Sequence, residues 1–126
     1  MQKRKNQIIT AVVFNPDSKE EPHIIKIPDD LHVIQSVIKC GGVEVYGRQV
    51  GGKSYMFFCD EIGRYKGLTP AAFNNEGQIM FVGKLVITGL TKDGDVKSLS
   101  DDDVERIRTN VFKNKISGKQ FIHCEY

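Results

Sequence analysis

The stretch IMFVGKLVITGL, from Ile79 to Leu90, is apolar at nearly every position and rich in β-branched residues. This composition is typical of strand buried on both faces, and Gly83 allows either one long strand or two short ones. We therefore place the stretch at the centre of a sheet. The Asp93-Gly94 step after it supplies the positive φ angle of a tight turn.

The next stretch, SLSDDDVERIRTNVF from Ser98 to Phe112, predicts a helix with a defined start. Ser100 can accept a hydrogen bond from a first-turn N–H, and Asp103 stands three residues on as the acidic half of a capping box. Asp101 and Asp102 favour the positive end of the helix dipole. Capping alone accounts for all three aspartates at this stage.

The first third of the chain predicts a strand pair and then a helix. QIITAVVF (7–14) and HIIKI (23–27) are β-branched runs separated by the turn signal Asn15-Pro16-Asp17. Asp29-Asp30 then caps a helix over residues 31–40, and Gly41-Gly42 is expected to end it in the left-handed region.

Residues 43–50 and 54–60 predict a hairpin around Gly51-Gly52-Lys53. The same region, GRQVGGKS (47–54), formally satisfies a phosphate-loop pattern, which requires a helix directly after it. The residues after Ser54 instead form the aromatic, strand-like run YMFFC, and no alternating βα pattern supplies a parallel sheet. A plain hairpin is therefore favoured over a nucleotide-hydrolysing loop.

Residues 61–78 are rich in turn signals, with one helical turn expected at 70–73, and residues 119–126 alternate like a terminal edge strand. The sequence thus predicts an α+β fold with a mostly antiparallel sheet of about five to seven strands and two helices. We expect a single domain over residues 1–126, with residues 1–6 flexible.

Composition excludes several classes of protein. The 18 basic and 16 acidic residues leave a net charge of only +2, so binding to nucleic acid is not expected. No signal peptide or membrane-spanning run is found, which favours a cytoplasmic location. The three cysteines, Cys40, Cys59 and Cys124, are irregularly spaced and are expected to be free thiols.

No catalytic or metal-binding pattern emerges from the sequence. His123 and Cys124 are adjacent on a predicted strand, so their side chains point to opposite faces and cannot act as a nucleophile and its base. His23 and His32 have no ligand-like spacing to a cysteine. We therefore expect no enzyme activity, no metal and no cofactor.

Two features admit both a structural and a functional explanation. On the first helix, Val33 and Val37 widen the apolar stripe to roughly 160°, which indicates either a homo-oligomer interface or a helix sunk deeply in its own core. On the second helix, Arg108 falls between Val104 and Phe112 within the apolar stripe. Its guanidinium either reaches water or a carboxylate, or it grips a phosphate in a cleft.

The chain resembles a small domain family of unknown function that is common in phages and mobile elements of Gram-positive bacteria. The resemblance covers roughly residues 24–111 and depends on the order of short motifs. These are Leu31-x-x-x-Gln35, Gly41-Gly42-Val43-Glu44, Cys59-Asp60-Glu61-x-Gly63, Gly67-Leu68, Asn74, Gly77, Val82-Gly83 and Ser98-Leu99-Ser100-Asp101-Asp102.

The same layout is similar to phage Thoeris anti-defence sponge proteins, non-enzymatic homo-oligomers that sequester cyclic ADP-ribose signals and, in some cases, cyclic oligonucleotides. The resemblance implies a ligand held near an interface by an aromatic residue of the central strand, polar groups after it and basic residues of the last helix. The matching positions are Phe81, Thr91, Asp93, Arg108 and Lys113. An asparagine that is usual near Thr91 in that family is absent here.

These observations leave three function classes. A sponge for a nucleotide-derived signal, active in the cytoplasm of a host cell, predicts binding without turnover. A protein-interaction module that inhibits a host defence protein predicts a protein partner and no small molecule. An enzyme predicts turnover, and the residues disfavour only this class.

Overall fold

The computed structural model describes residues 7–125, so the expected flexibility of residues 1–6 lies outside the described residues. Within the described range the chain forms ten strands and two helices. In chain order they are β1 (Ile8–Phe14), β2 (His23–Pro28), α1 (Leu31–Ile38), β3 (Val43–Val50), β4 (Lys53–Asp60), β5 (Pro70–Phe73), β6 (Ile79–Val82), β7 (Leu85–Leu90), β8 (Val96–Lys97), α2 (Asp101–Thr109), β9 (Val111–Lys113) and β10 (Gln120–His123).

The strands form two sheets. The large sheet has six strands in the order β2-β1-β7-β4-β3, with β8 paired to the far end of β7, and all its pairings are antiparallel. The small sheet has four strands in the order β6-β5-β10-β9, in which β10 runs parallel to β5. The strand β7 is the centre of the large sheet, as its apolar composition predicts.

The large sheet separates two apolar clusters because successive side chains of a strand point to opposite faces. One cluster lies between this sheet and α1, where Ile34 packs with Phe58 and Val86. The other lies between the two sheets and α2, and it includes Phe57 and Ile107. The order of layers is therefore α1, large sheet, then small sheet with α2.

The starts of both helices agree with the capping chemistry of the sequence, but α2 ends at Thr109, and the expectation that it continues through Phe112 is wrong because residues 111–113 form β9. Ser100 caps α2, and the reciprocal bonds of a capping box with Asp103 are both present. Asp30 caps α1 and accepts a hydrogen bond from the backbone N–H of His32. The left-handed residue that ends α1 is Lys39, with φ 64°, so the expectation of a glycine stop at residues 41–42 is wrong.

The α+β class, the two helices and the mostly antiparallel pairing are confirmed, but the number of strands is larger than predicted. The stretch 79–90 is two strands, and they belong to different sheets. Gly83 makes the break with φ 78°, and a Cβ there would lie 2.7 Å from Leu68 Cδ1. A positive φ of this kind favours glycine, which explains why the chain turns out of the large sheet at this position.

Two further expectations are wrong, and both concern the small sheet. Residues 70–73 form strand β5 and not a helical turn, because they pair with β6 on one side and with β10 on the other, and Ala71 and Ala72 are fully buried. The terminal strand β10 lies inside the small sheet, between β5 and β9, and is not an edge. Its Gln120 side chain donates to the backbone carbonyls of Ser18 and Glu20, which fixes the connection between β1 and β2.

Candidate functional site

A cleft of about 460 Å³ opens between β3 and β6, and we call it the β3–β6 cleft. Its walls come from the edge strand β3, the end of β4, the loop after β4 and the strand β6. The volume lies within the ~300–1,000 Å³ that small-molecule sites occupy.

Aromatic rings form the floor of this cleft. Phe81 is only 3% exposed and stacks on Phe57 with ring centroids 5.1 Å apart. Tyr46 lies beside it with a centroid distance of 5.7 Å, and its side chain is partly open to solvent. Tyr65, on the loop after β4, lines the same cleft and is 92% exposed. Two tyrosine rings are thus accessible at the cleft.

Two arginines stand among these rings. The guanidinium carbon of Arg48 lies 5.2 Å from the centroid of Tyr46 and 5.8 Å from that of Phe81, within the range of a cation–π contact. Arg64 donates from Nη2 to the backbone carbonyl of Ile79 at 3.0 Å, which holds the loop after β4 against β6. Both guanidinium groups therefore lie at the cleft and contact its walls.

Acidic residues occupy the other side of the cleft. The Tyr46 hydroxyl donates to Glu44 Oε2 at 2.5 Å, and this bond raises the pKa of Tyr46 above its ordinary value. Asp60 is engaged by Lys66 Nζ at 2.6 Å and by the backbone N–H of Ile62 at 3.0 Å. The cleft therefore presents cations, carboxylates and aromatic rings within one volume.

The nucleophilic group in the cleft is in its unreactive form. Cys59 is buried, and burial raises the pKa of its thiol to about 11. A thiolate is the nucleophilic form of cysteine, so very little of it exists near neutral pH. Among the described residues 7–125, no histidine lines the cleft, and a general base of that type is therefore missing from it.

The structure does not bring Phe81 and Arg108 together. A single row of paired residues crosses the small sheet, from Phe81 through Ala72 and Ile122 to Val111. At ~4.8 Å between strands, the edges β6 and β9 are separated by about 14 Å. Phe81 lies on the first edge, whereas Arg108 lies on the helix that leads into the second.

Arg108 contacts the connection between β1 and β2. Its Nη2 donates to the carbonyl of Pro22 at 3.3 Å, and its Nε lies 4.0 Å from a carboxylate oxygen of Glu21. Of the two explanations that the sequence leaves open for Arg108, these contacts agree with the structural one, in which the guanidinium reaches a carboxylate at the surface.

The other residues named by the resemblance lie apart from the cleft. Thr91 closes the turn between β7 and β8, because its hydroxyl accepts from the backbone N–H of Asp95 at 2.9 Å. Asp93 is exposed in the same turn, beside Gly94 with φ 87°. Lys113 is exposed at the end of β9. Of the five residues, only Phe81 lines the β3–β6 cleft.

A buried polar cluster under α2 accounts for the lysine of the phosphate-loop pattern. Gly51 and Gly52 form the predicted hairpin with φ 57° and 85°. Lys53 Nζ lies 2.6 Å from Asp103 Oδ1, which also accepts from the Tyr55 hydroxyl at 2.7 Å. Asp103 therefore does more than cap a helix, and the expectation that capping accounts for it fully is wrong.

The hydrogen bonds in this cluster determine the protonation states. Burial alone would raise the pKa of Asp103, but the bonds from Lys53, Ser100 and Tyr55 outweigh it and hold this pKa well below its usual range. Burial, together with the bond to Asp103, raises the pKa of Tyr55 to about 12. The carboxylate is thus ionised and the phenol neutral at physiological pH.

Neither a cluster of metal ligands nor a membrane-spanning helix is found among residues 7–125. Within this range no three His, Cys, Asp or Glu side chains are grouped so that they could hold a metal ion. The helices there are too short to cross a membrane.

Sequence reasoning did not single out Tyr46, Arg48, Arg64 or Tyr65. A signal was present in the alternation Glu44-x-Tyr46-x-Arg48, because residues two apart on a strand share one face. The sequence did not indicate the position of β6, which closes the other side of the cleft.

The fold and the cleft define a small, two-sheet α+β domain with a polar, aromatic surface site. The chain belongs to the family described as Domain of unknown function (DUF3846), whose profile matches residues 9–111. A search of curated proteins and a search of solved structures each found no match. The family agrees with the sequence resemblance at the level of a domain of unknown function, and the likeness to sponge proteins stays a prediction.

Proposed function

We propose that the protein binds a nucleotide-derived signal of the cyclic ADP-ribose type in the β3–β6 cleft and holds it chemically unchanged. Such a sponge would disarm an anti-phage defence in the cytoplasm of a bacterial host. The observation that supports this proposal best is the meeting of two arginines, two accessible tyrosine rings and several carboxylates in one volume of about 460 Å³.

Each part of such a ligand has a suitable partner in the cleft. A purine can stack on Tyr46 or Tyr65, because base stacking on an aromatic ring requires only an accessible face. The planar guanidinium groups of Arg48 and Arg64 match the oxygens of a pyrophosphate. The carboxylates of Glu44 and Glu61 can accept hydrogen bonds from ribose hydroxyls.

Binding without turnover is supported by the protonation states in the cleft. The Cys59 thiol, with its pKa of about 11, is a poor nucleophile. Asp60 is held by Lys66 and by a backbone N–H, so its oxygens are already engaged. The side chains of the cleft are therefore suited to hold a ligand rather than to transform one.

The experiment is calorimetric titration of the protein with cyclic ADP-ribose isomers and cyclic dinucleotides, compared between Arg48→Ala and Arg108→Ala. Loss of an arginine–phosphate contact costs about 1.5–3 kcal/mol, which is a roughly tenfold to hundredfold loss in affinity. We expect this loss for Arg48→Ala and unchanged affinity for Arg108→Ala.

Weaker binding by Arg108→Ala together with unchanged binding by Arg48→Ala would indicate that the ligand binds at the residues named by the resemblance instead of in the cleft. Thr91, Asp93, Arg108 and Lys113 stay predictions until that comparison is made. Chromatography of the ligand after release distinguishes a sponge from an enzyme, because a sponge returns the ligand intact. No binding of any tested nucleotide derivative would reject the proposal.

A second candidate is inhibition of a host defence protein through the outer face of the small sheet. There Phe121 packs edge-on against Phe73 at 5.2 Å and beside Phe112 at 5.8 Å, and Phe112 is 47% exposed. An exposed aromatic group of this kind is typical of protein interfaces. If no nucleotide derivative binds, Phe112→Asp should abolish the inhibition of the defence in infected cells, whereas Arg48→Ala should not.

A further inference from the structure

The outer face of the small sheet carries aromatic rings on three adjacent strands. The strands β5, β10 and β9 each direct one side chain toward the apolar cluster between the sheets, namely Ala72, Ile122 and Val111. Successive side chains of a strand alternate between faces, so Phe73, Phe121 and Phe112 point outward. The same alternation places His123, two residues after Phe121, on the outer side. We call Phe73, Phe112, Phe121 and His123 the aromatic face.

The rings of the aromatic face lie side by side. Phe121 is in the middle, with its ring centroid 5.2 Å from that of Phe73 and 5.8 Å from that of Phe112. Phe112, on the edge strand β9, is 47% exposed. A cavity of about 360 Å³ opens beside Phe73 and Phe121, and Ser117 and Lys119 also line it. The face thus offers an accessible ring and, next to it, a space as large as a small-molecule site.

Positive charge is concentrated beside the aromatic face, although the chain as a whole has a net charge of only +2. The hairpin of residues 111–121 holds no acidic residue and three lysines, which are Lys113, Lys115 and Lys119. All three are exposed. Lys115 lies in the turn and forms no ion pair with any residue in the described range 7–125. The low net charge therefore does not describe this part of the surface.

Acidic groups lie at both ends of the aromatic face. Asp17 Oδ1 lies 3.3 Å from Lys119 Nζ, but the two side chains are 57% and 50% exposed. Exposed ion pairs contribute little, so a phosphate oxygen can replace Asp17 as the partner of Lys119. Glu76 and Glu125 lie at the opposite end, past the C-terminal ends of the parallel strands β5 and β10. A chain of phosphates is therefore accommodated best on the side of the hairpin.

We propose that the aromatic face and the hairpin beside it bind single-stranded nucleic acid. Bases stack on Phe112 and against Phe121, because every base has a π surface that such rings can cover. Lys115 and Lys119 act as point charges that hold neighbouring phosphates. The binding is tolerant of sequence, since neither stacking nor phosphate contacts read the edges of the bases.

The composition of this surface favours nucleic acid over a protein partner. Aromatic residues occur at both kinds of interface, but lysine is depleted from protein–protein interfaces. A four-stranded sheet whose outward aromatic rings stack bases is a recurring platform for single-stranded RNA. The binding uses no residue of the β3–β6 cleft, whose Phe81 points inward, so it does not depend on the proposed function.

The test is fluorescence anisotropy of labelled oligouridylate and oligothymidylate strands of about ten nucleotides, titrated with the full chain at low salt. Phe112→Leu keeps an apolar side chain but removes the ring, and it should weaken binding about fivefold or more. Phe112→Tyr keeps the ring and should bind like the wild type. Ile24→Ala is the matched control, because Ile24 is also 47% exposed but lies on β2 in the large sheet.

Salt dependence separates the role of the lysines from that of the ring. The logarithm of the affinity falls with the logarithm of the salt concentration, with a slope of about 0.7 per phosphate contact in a single strand. Lys115→Ala and Lys119→Ala should each lower this slope by about that amount, whereas Phe112→Leu should leave it unchanged. Lys92→Ala removes an exposed lysine from the turn between β7 and β8 and should change neither affinity nor slope.

A duplex of the same length completes the comparison. Its bases already stack on one another, so it should bind about tenfold more weakly than the single strands. Absence of binding to both single strands at low salt would overturn the inference. So would equal affinity for strand and duplex, an unchanged affinity of Phe112→Leu, or a salt slope that neither lysine variant lowers.

Discussion

Replacement of Asp103 by alanine is expected to destabilise the fold far more than replacement of its neighbours on the same helical turn. Asp103 is 1% exposed, and its carboxylate accepts from Lys53 Nζ, the Tyr55 hydroxyl and the backbone N–H of Ser100. Asp101 and Asp102 are exposed and act only through the helix dipole. The stability lost on replacing Asp103 can therefore be compared with that lost on replacing Asp101 or Asp102 in the same helical turn.

The magnitude is set by the contacts that are lost. Loss of a helix cap costs about 1 kcal/mol, and each buried donor left without an acceptor costs a further ~1–3 kcal/mol. Tyr55 is fully buried and so cannot recover its bond from water. For Asp103→Ala we expect a loss of about 2–4 kcal/mol in the free energy of unfolding, the sum of the lost cap and the unpaired Tyr55 hydroxyl. Asp102→Ala should cost about 0.3–1 kcal/mol.

Urea denaturation monitored by circular dichroism measures both variants. The pH dependence gives a second readout, because the pKa of Asp103 is lower in the folded than in the unfolded state. Its stabilising effect is therefore fully present above the unfolded pKa of about 4 and is lost as the pH falls below it. The difference between wild type and Asp103→Asn should shrink as the pH falls from about 5 to about 2. Equal losses for Asp103→Ala and Asp102→Ala would refute the reasoning.

Three further predictions concern single features of the fold. Lys53→Ala should lower the free energy of unfolding by only about 1 kcal/mol, because the lysine is 44% exposed, and an ATPase assay should show no activity that this change removes. Gly83→Ala should lower the melting temperature measurably in calorimetry, since it forces a positive φ of 78° and a contact with Leu68. In native protein at pH 8 a thiol reagent should modify Cys40 first, because Cys59 and Cys124 are buried and their pKa values are raised to about 11.

Local chemistry made most of the large sheet and both helices predictable. The capping box at Ser100 and the glycine pair at residues 51–52 specify their own geometry through hydrogen bonds and φ angles within a few residues. Residues 79–82 and 119–126 were predicted as strand, but the small sheet was missed because β5 and β9 have only four and three residues and pair with distant segments. Short runs of this length carry too little periodicity to be distinguished from loops.

The candidate site was only partly predictable for the same reason. Phe81 was named from a resemblance, and its presence in the β3–β6 cleft depends on the pairing of β6 with β5, which no local pattern of residues 79–82 specifies. Arg108 was correctly recognised as a charge that needs a partner, and the Pro22 carbonyl and Glu21 supply it. Which polar residues of the chain share a site depends on long-range strand pairing, and for this reason the polar groups of the cleft were not identified from the sequence.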